Sequence, residues 1–142
     1  MQHVFVYGSL LFPEIVEGLT ACKFETHDAS IQNYERRTVK NNDYPAIIPK
    51  EGGQVLGKIL LNVDKRSLEV LRFFEGDEYA CVEITMNVDN KKITACVFVW
   101  NGDADALDKA DWNLELFERK ALAEYVRFVV PETVEVFKRL FS

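Results

Sequence analysis

The β-rich segments of this chain lie in its first hundred residues, and the last third of the sequence reads as helix. Runs rich in Val, Ile, Phe and Tyr occupy residues 2–7, 52–63, 78–88 and 91–100, and strand-like pieces occur within 28–39. Strands that come first, with few helices among them, followed by helices, are the order expected of an α+β domain. The sequence therefore predicts an α+β fold, with a small mixed or barrel-like sheet and helices packed outside it.

Two short helices are predicted inside the β-rich part. Residues 13–19 begin with Pro13, a residue that suits the first helical turn. The second helix follows Asp64, which has the short carboxylate of a good N-cap, and it ends at Gly76, a natural helix stop. Apolar residues at three-residue spacing between those two positions give this second helix a core-facing side.

The remaining connections are predicted from turn residues. Residues 41–49 read as a loop that carries a short apolar strand, and the Asp-Asn pair at 89–90 indicates a hairpin. One C-terminal helix is expected near 112–128, and Pro131 is expected to start another that runs to about residue 141.

Length and charge limit the possible partners. The 142 residues suit one domain, 1–142, and 23 acidic against 17 basic residues give a net charge of −6. No basic block is present to follow a nucleic-acid backbone, and an acidic surface does not favour anionic membranes. No apolar run approaches the roughly 18 residues needed to cross a bilayer. We therefore predict no nucleic-acid or membrane partner, and a monomer by default.

The cysteines and histidines are few and scattered. Cys22, Cys81 and Cys96 are odd in number and far apart, which is typical of reduced thiols in a cytosol. His3 and His27 belong to no zinc-binding motif, so no metal site is predicted. The first strand begins at residue 2, which leaves no room for a signal peptide, and we expect a cytoplasmic protein.

Three polar motifs stand at the ends of apolar segments. Tyr7-Gly8-Ser9 follows the first strand, Tyr44-Pro45-Ala46 lies in a loop, and Glu75-Gly76-Asp77-Glu78-Tyr79 follows the second helix. Taken alone, Tyr7-Gly8-Ser9 is more often a plain turn than a ligand loop. The two tyrosines of the other motifs suit a cavity wall and an ordinary half-buried position equally well.

These motifs, in this order, resemble the gamma-glutamylcyclotransferase-like superfamily, in its small bacterial and plant (avirulence-induced-gene-like) branch. The resemblance lies in "VFVYGSLLFPEIV", "YPAIIP", "GQVLGKIL" and "FFEGDEYACVEI", with "VFVW" and "DWNLELF" further on, and it covers nearly the whole chain. One position departs from the family pattern, since Cys81 stands where relatives often have arginine. That departure leaves the predicted fold intact and weakens any specific assignment of substrate.

The resemblance implies a cavity in which the α-amine of a γ-glutamyl group attacks its own γ-carbonyl. The products are 5-oxoproline and a released amine or amino acid. Glu75 is then the catalytic acid/base, and neither a metal nor an organic cofactor is required. The substrate is a small γ-glutamyl compound, and the residues expected to bind it are Tyr7, Gly8, Ser9, Leu10, Leu11, Phe12, Tyr44 and Tyr79.

Physical chemistry favours Glu75 over Glu78 as the base. The C-terminal end of a helix disfavours a carboxylate, and Phe73 and Phe74 remove water from it, so both effects raise its pKa. Near Gly8, backbone N–H groups are suited to an oxyanion, and Ser9 adds a hydroxyl that orients the substrate. The N-terminus of the 13–19 helix is a candidate site for the substrate α-carboxylate.

Two other interpretations remain open from the sequence. Cys81 at the arginine position is compatible with a module that binds a small ligand in the same cavity without catalysis. A related enzyme that removes a γ-glutamyl protecting group in a biosynthetic pathway differs from the first hypothesis only in its leaving group.

Overall fold

The computed structural model describes residues 1–141, and five strands form its single sheet in the order β2-β3-β1-β5-β4. The strands are β1 (Gln2–Val6), β2 (Thr26–Thr38), β3 (Pro45–Val63), β4 (Tyr79–Val88) and β5 (Lys91–Trp100). β1 is parallel to β5, and every other neighbouring pair is antiparallel. The predicted mixed sheet is therefore present, with β1 at its centre.

The predicted barrel is not closed. The edge strands β2 and β4 approach each other, but no ladder of hydrogen bonds joins them. Strong twist and the great length of β2 and β3 curl the sheet, as expected for long antiparallel pairs. The result is an open, curled sheet with an inner and an outer face.

Helices flank this sheet. They are α1 (Pro13–Thr20), α2 (Lys65–Glu75), α3 (Leu114–Lys120), α4 (Leu122–Glu124) and α5 (Val130–Phe141), with 3-10 turns at Ser9–Leu11 and Ala104–Ala106 and a π-helical turn at Tyr125–Val129. α2 begins as predicted, since the Asp64 carboxylate accepts a hydrogen bond of 3.1 Å from the Ser67 N–H. It ends as predicted at Gly76, whose φ of +91° favours glycine.

The sheet packs a different set of side chains on each face, because successive side chains of a strand point in opposite directions. Val4 and Val6 of β1 lie in a cluster with residues of α1, α2 and α5. Phe5, between them, packs with Ile59 and Val97 in the cluster on the inner face. Tyr7 continues the inner face, and the chain leaves the sheet there.

The short strand predicted within 41–49 and the β-rich run at 52–63 form one long strand, β3, which is paired along most of β2. The register shifts between Gln32 and Tyr34, where Asn33 adopts a positive φ of 66°. The Asn33 side chain then accepts a hydrogen bond of 3.1 Å from the Gly52 N–H. Residues 50–53 of β3 stand opposite Asn33 alone, so a bulge on β3 itself accommodates the two glycines.

The predicted C-terminal helices are also corrected. The helix expected near 112–128 breaks at Ala121, and Pro131 is the second residue of α5 instead of the start of a new helix. Proline lacks the N–H that would reach back to the preceding turn, and the wider π turn at Tyr125–Val129 accommodates that gap.

The prediction that all cysteines are free thiols is wrong for two of them. Cys81 on β4 and Cys96 on β5 are joined by a disulfide, with their Cα atoms 5.7 Å apart, and Cys22 is free. The two strands pair directly, so the disulfide crosses neighbouring strands. Cytoplasmic location stays a prediction. Among residues 1–141, no helix is long and apolar enough to cross a membrane.

Candidate active site

A cavity of about 220 Å³ opens where β1 leaves the sheet. Its lining comes from segments that are far apart in sequence: Phe5, Val6, Tyr7, Gly8, Ser9, Leu10, Tyr44, Pro45, Phe74, Glu75, Tyr79, Phe98, Tyr125, Val129 and Thr133. The structure therefore places the Tyr7–Leu10 loop, Tyr44, Glu75 and Tyr79 around one space. Strand residues from both faces of the sheet contribute to the lining, and the C-terminal helical segment forms one wall.

Glu75 is the last residue of α2, and its side chain is partly exposed because it faces the open cavity. Protein atoms otherwise surround the carboxyl group. This loss of solvation raises the pKa of Glu75 from its usual value of 4.5 to about 8. A carboxyl group with such a pKa can exchange a proton near neutral pH, as a general acid/base must.

Four tyrosines lie close enough for the Glu75 charge to raise their pKa values: Tyr7, Tyr44, Tyr79 and Tyr125. Two of them are fixed by the backbone. The Tyr7 hydroxyl donates to the Phe98 carbonyl at 2.6 Å, and the Tyr79 hydroxyl donates to the Pro45 carbonyl at 2.7 Å. Burial is the main cause of the raised pKa of both hydroxyls, which keeps them protonated as donors.

The Tyr7–Leu10 loop presents free backbone donors. The Leu11 and Phe12 N–H groups turn back onto the carbonyls of Gly8 and Ser9, at 2.9 and 3.2 Å. The N–H groups of Gly8, Ser9 and Leu10 make no backbone hydrogen bond within the described chain, as is usual for the first residues of a helical turn. All three residues line the cavity. The loop therefore offers a set of donors for a negatively charged oxygen.

Leu11 and Phe12 lie elsewhere. Leu11 lines a second cavity of about 300 Å³, and Phe12 packs on Phe117 with ring centroids 5.4 Å apart. The N-terminus of α1, expected near the substrate α-carboxylate, does not line the site either, since Pro13 faces the second cavity. The 3-10 turn at Ser9–Leu11 explains both corrections, because it rotates the chain away before α1 begins.

Arg36 supports the loop, a role that no motif in the sequence indicates. Its Nη1 donates to the Tyr7 carbonyl at 2.7 Å, and its Nε donates to Asp111 Oδ1 at 2.8 Å. Its guanidinium also lies over the Trp112 ring, 5.4 Å from the centroid. Arg36 is a strand residue in "NYERRT", and only the fold brings it to the end of β1.

Cys81 does not line the cavity, since its sulfur is bonded to Cys96. At the position where the resemblance leads us to expect arginine, this chain has a cross-strand link. Within residues 1–141, no three His, Cys, Asp or Glu side chains are grouped as metal ligands.

The open mixed sheet thus carries one cavity lined by a partly exposed glutamate with a raised pKa and by a loop with free backbone donors, an arrangement suited to acid–base chemistry on a small molecule. The model of the family described as "Gamma-glutamyl cyclotransferase, AIG2-like" matches residues 4–114. The chain belongs to this family.

Plant proteins are among its relatives. AIG2-like protein A of Arabidopsis thaliana is 30% identical over 144 residues, which cover 100% of this chain and 82% of the relative. A solution structure of an Arabidopsis thaliana protein has a TM-score of 0.68 at 26% identity and covers 99% of this chain and 93% of that one. A structure titled gamma-glutamyl cyclotransferase has a TM-score of 0.55 at 18% identity, covers 70% of this chain and 66% of that one, and shares the fold.

Proposed function

We propose that this protein is a gamma-glutamylcyclotransferase that releases 5-oxoproline from a small γ-glutamyl compound. The observation that carries the proposal is one cavity with a raised-pKa carboxyl, Glu75, and the free N–H groups of the Tyr7–Leu10 loop. Family membership supports the reaction class. The proposal calls for a small γ-glutamyl partner and for no second copy of the chain.

Glu75 would serve twice in this reaction. In its ionised form it takes a proton from the substrate α-ammonium, and the freed amine attacks the γ-carbonyl carbon. A C–N bond forms, the carbonyl electrons move to oxygen, and the tetrahedral oxyanion accepts hydrogen bonds from the N–H groups of Gly8, Ser9 and Leu10. Glu75 then gives the proton to the leaving nitrogen, the oxyanion electrons re-form the carbonyl, and the old C–N bond breaks. Glu75 takes the second proton from the attacking nitrogen and passes it to the departing amine, so 5-oxoproline and an ammonium ion are released.

The pH dependence of turnover tests this scheme. Because the free enzyme must hold Glu75 ionised, we expect kcat/KM for 5-oxoproline release to rise with pH and to level off above about 8. A substrate with an acetylated α-amine is the control, since it cannot cyclise. Release of the leaving amine from that substrate would indicate hydrolysis, and binding of γ-glutamyl compounds without any product would favour a non-catalytic ligand-binding module.

Gly8→Ala tests the loop. A Cβ at position 8 would lie 2.7 Å from Pro45 Cγ and 2.8 Å from Pro45 Cδ, so the loop and its N–H groups must move. We expect kcat to fall by about a hundredfold, the scale of losing one oxyanion donor. Stability should fall by about 1–3 kcal/mol, as in other overpacked sites.

The double variant Gly8→Ala/Pro45→Ala removes the ring atoms that cause this clash. It should recover part of the lost kcat, and Pro45→Ala alone keeps the carbonyl that accepts from Tyr79. Full activity in Gly8→Ala itself would contradict a role for the loop donors.

A further inference from the structure

Three cavity residues come from a part of the chain outside the family match, which ends at residue 114. They are Tyr125, Val129 and Thr133, and the first two are the ends of the π-helical turn. Turns of this kind inside helices occur frequently at functional sites. The wall they form therefore lies beyond the residues that the family model matches, in a segment that the full-length match to AIG2-like protein A includes.

This wall lies at the solvent end of the cavity. Tyr7, Gly8 and Ser9 are buried, so the loop donors form the deep end. Val129, by contrast, is 36% exposed. A γ-glutamyl group that reacts beside Glu75 and the loop directs its leaving group outward, toward the C-terminal wall.

Tyr125 has a free hydroxyl in this wall. Its ring packs edge-on against Phe74, with centroids 6.4 Å apart, which fixes it beside Glu75. The Thr133 hydroxyl is already used, since it donates to the Val129 carbonyl at 2.7 Å. The hydroxyls of Tyr125 and Tyr44 make no hydrogen bond within residues 1–141, so both are open to a ligand.

The charges around this end of the cavity are acidic. Asp43 and Glu78, both exposed, adjoin the lining residues Tyr44 and Tyr79. The charge of Asp43 contributes to a pKa of about 12 for Tyr125, after burial, and Glu78 acts in the same direction on the pKa of Tyr44. Arg127, the basic residue of the π turn, lies over the Phe128 ring, 5.2 Å from its centroid.

We infer that the C-terminal wall selects the leaving group, that Tyr125 contacts it, and that an amine carrying a positive charge is favoured over one carrying a carboxylate. The inference rests on the proposed function. A carboxylate at the end of the leaving group would face Asp43 and Glu78, and the Arg127 guanidinium of this turn lies over the Phe128 ring, whereas an ammonium group would meet acidic side chains and tyrosine hydroxyls.

Three substrates of matched length test the charge preference. They are γ-glutamyl amides of 1,4-diaminobutane, butylamine and 4-aminobutanoate, whose far ends are positive, neutral and negative. We expect kcat/KM to fall in that order, by about tenfold from first to last. Equal values for the positive and negative substrates would overturn the charge preference.

A charge reversal at one exposed position tests the wall itself. Val129→Lys should lower the ratio of kcat/KM for the positive substrate over the negative one by about tenfold, and Val129→Glu should raise it. Val126→Lys is the matched control, because Val126 is 40% exposed on the same turn and does not line the cavity. The same change in ratio for both lysine variants, or for neither, would overturn the inference.

Tyr125→Phe separates this inference from the proposed function. It should reduce kcat/KM for the diaminobutane substrate by about three- to tenfold more than for γ-glutamyl methylamide, the value of one hydrogen bond, because methylamine is too short to reach the wall. Equal losses on both substrates would overturn the contact between Tyr125 and the leaving group. If the wild-type protein releases no 5-oxoproline from any of these compounds, the proposed function fails and this inference fails with it.

Discussion

Replacing Glu75 with glutamine is expected to reduce 5-oxoproline release by about a thousandfold, the scale of losing a general acid/base. Glutamine keeps the size of the side chain and can still donate and accept hydrogen bonds, but it cannot take a proton from the substrate ammonium. The loss should appear in kcat, since the substrate-binding loop is untouched. The measurement is steady-state 5-oxoproline formation, with circular dichroism to show that the variant is folded.

Glu78→Gln is the control for this variant. Glu78 is three residues away, is exposed and does not line the cavity. With the neutral butylamine substrate, whose leaving group offers no charge to Glu78, its substitution should leave kcat near the wild-type value. A folded Glu75→Gln variant with undiminished turnover would remove Glu75 from the mechanism, whatever the behaviour of Glu78→Gln.

Glu75→Gln is also expected to stabilise the protein, and the stabilisation should increase as the pH rises. In the unfolded chain Glu75 releases its proton near its usual pKa of 4.5, whereas the folded protein retains it up to about 8. Below pH 4.5 the group is protonated in both states and has no effect. Between pH 4.5 and 8, Glu75 is ionised in the unfolded state and protonated in the folded state, so ionisation stabilises only the unfolded state and the free energy of unfolding of the wild type falls. Above pH 8 this free energy falls no further from this cause.

Glutamine does not titrate, so the variant escapes this loss. The stability difference between Glu75→Gln and wild type should grow from near zero at pH 4 to on the order of 4 kcal/mol at pH 8.5, since each pKa unit corresponds to about 1.36 kcal/mol. Urea denaturation at both pH values measures it, with exposed Glu78→Gln as the variant that should follow the wild type. A constant difference across this range would show that the Glu75 carboxyl titrates like an exposed one.

Elements whose signals are local are predictable from the sequence. α2 is predicted from an N-cap, an apolar spacing and a terminal glycine, each of which acts within a few residues, and the structure has all three. The β4–β5 hairpin follows from Asp89-Asn90, which adopt the positive φ values of 48° and 66° that such a tight turn needs.

Elements that depend on tertiary pairing are not predictable from the sequence. The sequence does not show that residues 45–49 and 54–63 belong to one strand, because nothing in it indicates that residues 50–53 form a bulge opposite Asn33 of β2. The Cys81–Cys96 disulfide depends likewise on the register of β4 and β5, and a spacing of 15 residues does not reveal that register.

The candidate site divides in the same way. Glu75 and the Tyr7–Leu10 loop belong to motifs with recognisable composition, and the fold brings them to one cavity. Arg36 and Tyr125 reach it from the middle of a strand and from a C-terminal helical turn, where neither has a distinctive neighbour. The position of Arg36 depends on its hydrogen bond to Tyr7, which is 29 residues away in the sequence. The position of Tyr125 depends on its packing against Phe74.

The hydrogen bond from the Tyr7 hydroxyl to the Phe98 carbonyl also has a consequence for the order of folding. The two residues are 91 positions apart, and the parallel partner of β1 is β5. During synthesis, β1 and its loop leave the ribosome among the first segments and must wait for residues near 98 before Tyr7 can be fixed. Contacts of such long sequence separation form slowly. The Tyr7–Leu10 loop is therefore synthesised early but reaches its folded position late.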